Sequence, residues 1–124
     1  MSGIKCLLDT NALISYLQGN PNLSHLTGYS LCGISIVSVL EFLSFSKLKE
    51  TDKELYFASI ETIEVIEVAL NDLNLINTIT DVRKSNKIKL PDAIIAGTAI
   101  YSNAVLITND KGFSKVSSLQ TAGF

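Results

Sequence analysis

Short apolar runs alternate along the chain with segments of helical periodicity, and this alternation restricts the fold more than any other feature. The apolar runs predict strands at residues 4–8, 31–36 and 104–108, and 118–121 is a candidate last strand. Residues 60–68 fit either element, because the β-branched residues favour a strand at 64–68 but three glutamates recur at helical spacing. Apolar side chains occupy both odd and even positions of the first run, as in a strand that is covered on both faces. We therefore predict an α/β fold, a three-layer α/β/α sandwich with a mostly parallel central sheet of about five strands.

Helices are predicted between these strands from apolar spacing and from residues that favour helix starts. Asp9 is one of several N-cap candidates for a first helix that runs to about residue 17. Ser38 and Glu41 have the S-x-x-E spacing of a capping box, which predicts a helix from Ser38 to the lysines at 47–49. Apolar periodicity and a favourable proline predict three further helices, at 52–59, at 71–85 and around Pro91.

Length and composition indicate one folded domain, residues 1–124, that is not a general polycation. The chain has 124 residues, is 47% hydrophobic and has a net charge of −2, so a nucleic-acid ligand needs a local site or a bridging cation. The single histidine, His25, argues against His-rich zinc sites and His-based triads. Cys6 and Cys32 form no CxxC motif, and no apolar run reaches about 18 residues, so we expect a reducing cytoplasm and no membrane span.

Four acidic residues fall where the predicted elements would converge. Asp9 ends the first strand, and Asp110 lies just past the strand at 104–108. Ligands of open α/β sheets bind beyond the carboxyl ends of the strands, so both acids point at that edge. Glu41 lies one turn into the helix after the second strand, and Asp92 lies in the first turn of a later helix. We expect these two side chains to project toward the same edge.

Each acid also has a purely structural explanation. Asp9 can cap the first helix, Glu41 can complete the capping box, and Asp92 is favoured near a helix N-terminus by the helix dipole. Asp110 lies in the sequence N-D-K-G, which is common in turns. These separate explanations do not account for four of the twelve acids lying beside dense apolar segments at converging element ends.

Gathering four carboxylates in one place has an energetic consequence. Two like charges about 4 Å apart repel by about 4 kcal/mol at an effective dielectric of about 20, so such a group needs protons or a cation. Oxygen ligands of this kind suit Mg²⁺ or Mn²⁺. Nearby polar side chains that could order ligands and waters are Thr10, Asn11, Thr108 and Asn109.

Four short motifs contain these acids and follow one another in order. They are Leu7-Leu8-Asp9-Thr10-Asn11, Ser38-Val39-Leu40-Glu41-Phe42, Leu90-Pro91-Asp92-Ala93 and Ile107-Thr108-Asn109-Asp110. The ordered set resembles the motif series of PIN domains, in particular the VapC-like ribonuclease toxins of toxin–antitoxin pairs. A lone D-T-N is a weak signal, but the whole series spans residues 4–113 and is specific.

The resemblance implies a Mg²⁺- or Mn²⁺-dependent endoribonuclease on a parallel-sheet α/β/α fold. Its acidic centre would consist of Asp9, Glu41, Asp92 and Asp110. Thr108 would be a polar helper beside this centre, and Asn11 a supporting group further out. Many relatives have Asp where this chain has Gly112, so Asp110 is the only candidate for the fourth carboxylate.

The chemistry of such a site predicts different roles for the four acids. We expect Asp9 and Asp92 to bind the metal directly. Glu41 and Asp110 would bind it through water or help to deprotonate that water. The metal would bind a phosphate oxygen and lower the pKa of the water that attacks the phosphorus.

Basic residues near the acids are candidates for contact with RNA. Lys89 and Lys111 lie close in sequence to Asp92 and Asp110, so they are favoured for phosphate contact. Other basic residues either line a groove or lie on solvated faces: Lys47, Lys49, Arg83, Lys84, Lys87 and Lys115.

The resemblance also implies partners: an RNA substrate, a small antitoxin protein whose segment fills the acidic groove, and a second copy of the chain in a homodimer. Two alternatives stay open. An RNA-processing nuclease that is not a toxin would use the same four acids. An inactive PIN-like scaffold or binding module would not need them, and their presence argues against it.

Overall fold

The structure, a computed structural model, describes residues 3–24, 32–59 and 63–124. Its strands are β1 (Cys6–Leu8), β2 (Cys32–Ser35), β3 (Glu64–Ile66), β4 (Val105–Ile107) and β5 (Thr121–Ala122). They form one five-stranded sheet in the order β3-β2-β1-β4-β5, in which every neighbouring pair is parallel. The predicted fold class is therefore confirmed, with a sheet that is wholly rather than mostly parallel.

Six α-helices surround the sheet in the described part of the chain. They are α1 (Thr10–Leu17), α2 (Pro21–Ser24), α3 (Ile36–Leu43), α4 (Glu50–Ser59), α5 (Leu73–Asn86) and α6 (Leu90–Tyr101). A 3₁₀ helix (Lys111–Lys115) follows β4.

Two apolar cores pack against opposite faces of the sheet. Leu7 and Leu8 are adjacent in β1, so they point to opposite faces, and both are fully buried. Leu7 shares a core with α5 and α6, whereas Leu8 shares a core with α1, α3 and α4. The double coverage predicted from the first apolar run is thus present, and it produces the three layers.

Helix α6 lies unusually close to α5, and this contact fixes the position of its first turn. A Cβ atom at Gly97 would lie 2.8 Å from the Cα of Ile79, so only glycine allows the two backbones to approach this closely. Residues 93 and 95–99 of α6 are also buried. The helix is therefore held firmly behind Asp92, which lies in its first turn.

The predicted capping box at Ser38 is wrong. The N-cap of α3 is Ser35, which ends β2 in an extended conformation and whose Oγ accepts a hydrogen bond of 3.2 Å from the Val37 backbone. Ser38 lies inside the helix, fully buried, and its Oγ has no hydrogen-bond partner among the described residues. Helix α3 also ends at Leu43 rather than at the lysines, because Ser44 forms its C-cap.

Some other predictions shift or fall outside the described residues. The last strand, predicted at 118–121, is the two-residue β5. His25 and residue 31 of the second predicted strand lie outside the described residues. Cys32 is buried and Cys6 is half-buried, and both thiols are free. In the described ranges no helix is long and apolar enough to cross a membrane.

Candidate active site

The strand order creates one crevice at the centre of the sheet. From β1 the chain passes outward through β2 and β3 and then returns to the other side of β1, where β4 pairs in parallel with it. The direction of winding therefore reverses between β1 and β4, and open α/β sheets bind ligands beyond the carboxyl ends of the strands at this point. Asp9 directly follows β1, and Asp110 lies shortly after β4.

Asp9 is held in a fixed orientation at the end of β1. Its Oδ1 accepts a hydrogen bond of 2.7 Å from the Ala12 backbone, so it caps α1 as its structural explanation predicted. Its Oδ2 accepts a hydrogen bond from the hydroxyl of Thr108. The residue is only 5% exposed. Capping and burial therefore fix one carboxylate at the base of the crevice.

Thr108 connects Asp9 to the loop that carries Asp110. Its hydroxyl donates to Asp9 and accepts a hydrogen bond of 3.0 Å from the Asp110 backbone. Asp110 caps the 3₁₀ helix, and its Oδ1 accepts a hydrogen bond of 2.8 Å from the Gly112 backbone. The predicted supporting role of Thr108 thus has a geometric basis, since this hydroxyl ties the two strand ends together.

Glu41 reaches the same crevice from α3. The Thr10 hydroxyl at the start of α1 donates a hydrogen bond of 2.6 Å to its Oε1. This contact joins two elements whose residues are far apart in the chain. Thr10 therefore orients Glu41 much as Thr108 orients Asp9.

One cleft of about 250 Å³ is lined by all four predicted acids, and we refer to it as the central acidic cleft. Thr10 and Asn11 also line it, whereas Asn109 turns away and hydrogen-bonds to the backbone of Phe124. Three apolar lining residues were not singled out from the sequence as part of the site: Phe45, Ile95 and Phe113. For Phe45, the helical spacing of the aromatic residues indicates only a core or an interface.

Burial and mutual repulsion act on the two aspartates expected to bind metal directly. Burial raises the pKa of Asp9, the hydrogen bonds from Thr108 and Ala12 oppose this, and the charges of Asp110 and Glu41 raise it further.

Asp92 has the same pattern without those hydrogen bonds. Burial raises its pKa, the neighbouring Asp110 and Glu41 add to this, and the ammonium group of Lys89 opposes it. The cleft is therefore short of positive charge, which is the condition that a cation relieves.

The donor set fits a hard divalent cation in one coordination mode only. Among the described residues, no three His, Cys, Asp or Glu side chains lie close enough to hold one ion together. A cage of three carboxylates is thus not preformed. Mg²⁺, however, is usually held by one or two carboxylates and keeps several of its waters. The all-oxygen lining fits that mode, with the remaining acids reached through water.

The two favoured lysines lie in different places. Lys89 lines a second cleft that shares Asp92 with the central acidic cleft. Lys111 begins the 3₁₀ helix and is exposed, but it lines neither cleft. Only Lys89 of this pair is therefore placed beside the acids.

Comparison with known proteins gives the class of the chain. A model of the PIN domain family matches residues 6–119. VapBC2 from Rickettsia felis, solved bound to a DNA fragment from its promoter, has a TM-score of 0.79 and 22% identity over 97% of this chain and 98% of that chain. A toxin–antitoxin complex from Klebsiella pneumoniae has a TM-score of 0.74 and 25% identity, over 93% and 95% of the two chains.

DNA-bound VapBC from Salmonella typhimurium is also similar, with a TM-score of 0.73 and 20% identity over 97% and 98% of the two chains. A search of curated proteins finds no match. The parallel sheet, with its acid-lined crevice between β1 and β4, defines a three-layer α/β/α protein of the PIN type. This chain belongs to the PIN domain family.

Proposed function

We propose that the protein is a Mg²⁺- or Mn²⁺-dependent endoribonuclease that hydrolyses RNA phosphodiester bonds in the cytoplasm. The observation that carries the proposal is the convergence of four carboxylates, from four separate elements, on one cleft between β1 and β4. A solvated acidic surface would not bury Asp9, and it would not place Asp92 where the charges of three other acids raise its pKa.

The residues of the cleft have separate roles in this proposal. A bound divalent cation would supply charge stabilisation to the phosphate and lower the pKa of the attacking water. Asp9 and Asp92 would hold the cation. Glu41 and Asp110 are more exposed, so they can contact water and accept its proton.

The polar neighbours keep these carboxylates in position. Thr108 orients Asp9 and Thr10 orients Glu41 through the hydrogen bonds described above. Asn11 is an exposed lining residue that can order water. Of the two lysines, Lys89 lines the neighbouring cleft and would contact a phosphate there, whereas Lys111 lines neither cleft. Phosphate contact by either residue stays a prediction.

We further propose that the protein is the toxin of a toxin–antitoxin pair and acts as a homodimer. Support for the antitoxin comes from the similar Klebsiella pneumoniae structure, which is a toxin–antitoxin complex. Exposed apolar residues offer surface for a partner: Leu40, Phe45, Leu55, Phe57, Leu70, Leu73 and Leu90. Phe45 lies at the rim of the central acidic cleft, where a partner segment would block RNA.

The test is cleavage of total tRNA and rRNA by the purified protein, with Mg²⁺ and with EDTA, followed by sequencing of the new ends. A nuclease produces discrete new ends only with metal, whereas a scaffold produces none under either condition. Co-expression with the product of an adjacent short gene separates the toxin from a processing enzyme. A toxin arrests growth unless that product is present, and a processing enzyme does not.

A further inference from the structure

A second cleft, of about 230 Å³, adjoins the central acidic cleft and has the opposite charge. Three lysines line it, together with Ile88, Asp92, Gly112 and Phe113. We call it the lysine cleft, and its lysines are Lys87, Lys89 and Lys115. Three lysines and one carboxylate therefore line this cleft.

The two clefts are adjacent and share part of their walls. Asp92 and Phe113 line both of them, so a chain molecule that extends from the central acidic cleft past these residues would reach the lysine cleft. A chain molecule bound across both would meet cation-binding oxygens in one and ammonium groups in the other.

The lysines come from two elements that the fold brings together. Lys87 and Lys89 lie in the short link between α5 and α6, where Lys87 is the left-handed C-cap of α5 with φ of 53°. Lys115 lies at the end of the 3₁₀ helix. Positions 89 and 115 are distant in sequence, and sequence proximity to the acids favoured Lys111 instead of Lys115.

These lysines are free to bind an external anion. In the described residues the only ion pair within 4.0 Å joins Lys53 to Glu50, at a distance of 3.7 Å. All three lysines of the cleft are exposed. Their positive charge is therefore not neutralised by a carboxylate of the fold, apart from the longer-range attraction between Lys89 and Asp92.

The residues that line the lysine cleft indicate which part of a nucleic-acid strand it would bind. The one aromatic ring, Phe113, is only 4% exposed, so it offers no face on which a base could stack. Gly112 contributes no side chain to the lining, and a Cβ atom there would lie 3.1 Å from Oδ1 of Asp110. A cleft with lysines and no stacking platform suits the phosphate groups of a strand rather than its bases.

We propose that the lysine cleft binds the phosphodiester backbone of single-stranded RNA immediately beside the bond that lies in the central acidic cleft. The inference rests on the proposed function, because it places the same RNA strand across both clefts. Contact there is independent of sequence, so the choice of RNA target is made elsewhere on the molecule.

The test is binding of a fluorescent single-stranded oligoribonucleotide, by anisotropy in EDTA, to protein that carries Asp9→Asn to prevent cleavage. Lys87, Lys89 and Lys115 are changed together to Gln. Each lost phosphate contact should make the slope of log K against log salt shallower by about 0.7, or about 2 for three contacts. Between 50 and 200 mM salt the parent should then lose about 20-fold more affinity than the triple variant.

The control changes Lys5 and Lys53 to Gln, two lysines that line neither cleft and are not candidates for RNA contact. The proposal requires that this control keeps the parental slope, and that circular dichroism shows both variants folded. An unchanged slope in the lysine-cleft variant overturns the proposal. So does a variant that loses binding of a polyglutamate peptide but keeps its binding of RNA, since the cleft then belongs to an acidic protein partner.

Failure of the proposed function gives a different result. If the wild-type protein cuts no RNA but the lysine-cleft variant has the shallower slope, the cleft binds RNA and the nuclease proposal falls. If the wild-type protein cuts RNA with Mg²⁺ and the slope does not change, the nuclease stands and the lysine cleft is excluded.

Discussion

Two regions of this molecule gather acidic side chains, and they differ in how the fold holds them. The central acidic cleft takes its four acids from the ends of β1 and β4, from α3 and from the first turn of α6. The second region, which we call the outer acidic cleft, has a volume of about 270 Å³ and takes its acids from β3 and the residues that follow it. Those acids are Glu64, Glu67 and Asp72.

The difference lies in burial and in hydrogen bonding. Asp9 is 5% exposed and holds the central cleft together through Thr108, whereas Glu64 and Glu67 are exposed. Asp72 is used to cap α5 and to accept a hydrogen bond from Tyr101. The number of acids is nearly the same, so acid count does not identify a site. A candidate site is identified by carboxylates that the fold buries near other carboxylates, at the edge where parallel strands end.

The largest expected effect is on RNA cleavage, which should depend on the central acidic cleft and not on the outer acidic cleft. Asp9→Asn should lower RNA cleavage by about 100-fold, because it removes one of the two carboxylates proposed to hold the cation that stabilises charge at the phosphate. Its fold should be retained, since Asn also caps helices and the change removes a repelling charge. The control is Glu67→Gln in the outer acidic cleft, which should leave cleavage unchanged. Equal activity of Asp9→Asn and wild type would remove the central cleft from the mechanism.

Metal binding should divide the two clefts in the same way. Isothermal titration with Mn²⁺ should detect a site in the wild-type protein and in Glu67→Gln. Asp92→Asn should bind Mn²⁺ weakly or not at all, because one of two expected direct ligands is lost. Retention of full affinity in Asp92→Asn would show that the ion binds at other residues.

The substitution Asp92→Asn, which should weaken metal binding, should increase the stability of the protein when no metal is present. The pKa of Asp92 is raised in the folded state, so ionisation of this group costs stability as the pH rises through that raised pKa. In EDTA at pH 7, Asp92→Asn should therefore be more stable, by about 0.5 kcal/mol after allowance for solvent screening.

This gain should appear as a rise in Tm of about 2 °C. It should vanish below the unfolded pKa of about 3.9, where the wild-type carboxyl is protonated in both states. With saturating Mn²⁺ the order should reverse, because the ion stabilises only the protein that binds it. Thermal unfolding measures these three effects when it is recorded in EDTA at pH 7, in EDTA below the unfolded pKa, and with Mn²⁺. If Asp92→Asn is less stable than wild type in EDTA at pH 7, repulsion between the carboxylates of this cleft is contradicted.

The smallest expected effect concerns the wall between the acids and the lysines. Gly112→Asp places a carboxylate beside the lysine cleft, and a Cβ at this position would lie 3.1 Å from Oδ1 of Asp110. RNA affinity in EDTA should fall by about twofold, the size of a partly exposed charge interaction. Gly112→Ala adds the same Cβ without charge and serves as the control. If both variants lose the same affinity, the cause is steric rather than electrostatic.

The sheet and the acids at its edge could be predicted because they depend on short-range signals. Apolar runs locate the strands, and the rule that ligands bind beyond parallel strand ends then places Asp9 and Asp110. The capping box failed because Ser35 and Ser38 both suit an N-cap, and only the exact end of β2 distinguishes them. No local pattern indicates that Asn109 bonds to Phe124 or that Phe45 reaches the cleft, because both contacts join segments that are distant in the chain.

The lysine cleft was beyond prediction for a different reason. Its members lie on the link between α5 and α6 and on the 3₁₀ helix, and these segments meet only through the packing of α6. Proximity in sequence favoured Lys111, which points elsewhere. A surface cleft between two loops can be predicted only when the whole fold is known. The end of a strand, in contrast, can be predicted from the sequence of that one element.

The last strand is fastened to the loop that carries Asp110. Thr108 donates from its backbone to Ala122, and the side-chain amide of Asn109 makes two hydrogen bonds of 2.9 Å with the backbone of Phe124. Fraying of this edge would therefore release the threonine that orients Asp9. Amide hydrogen exchange at Thr108 and Phe124 would then proceed together, and it would report local opening beside the central acidic cleft well before the protein unfolds.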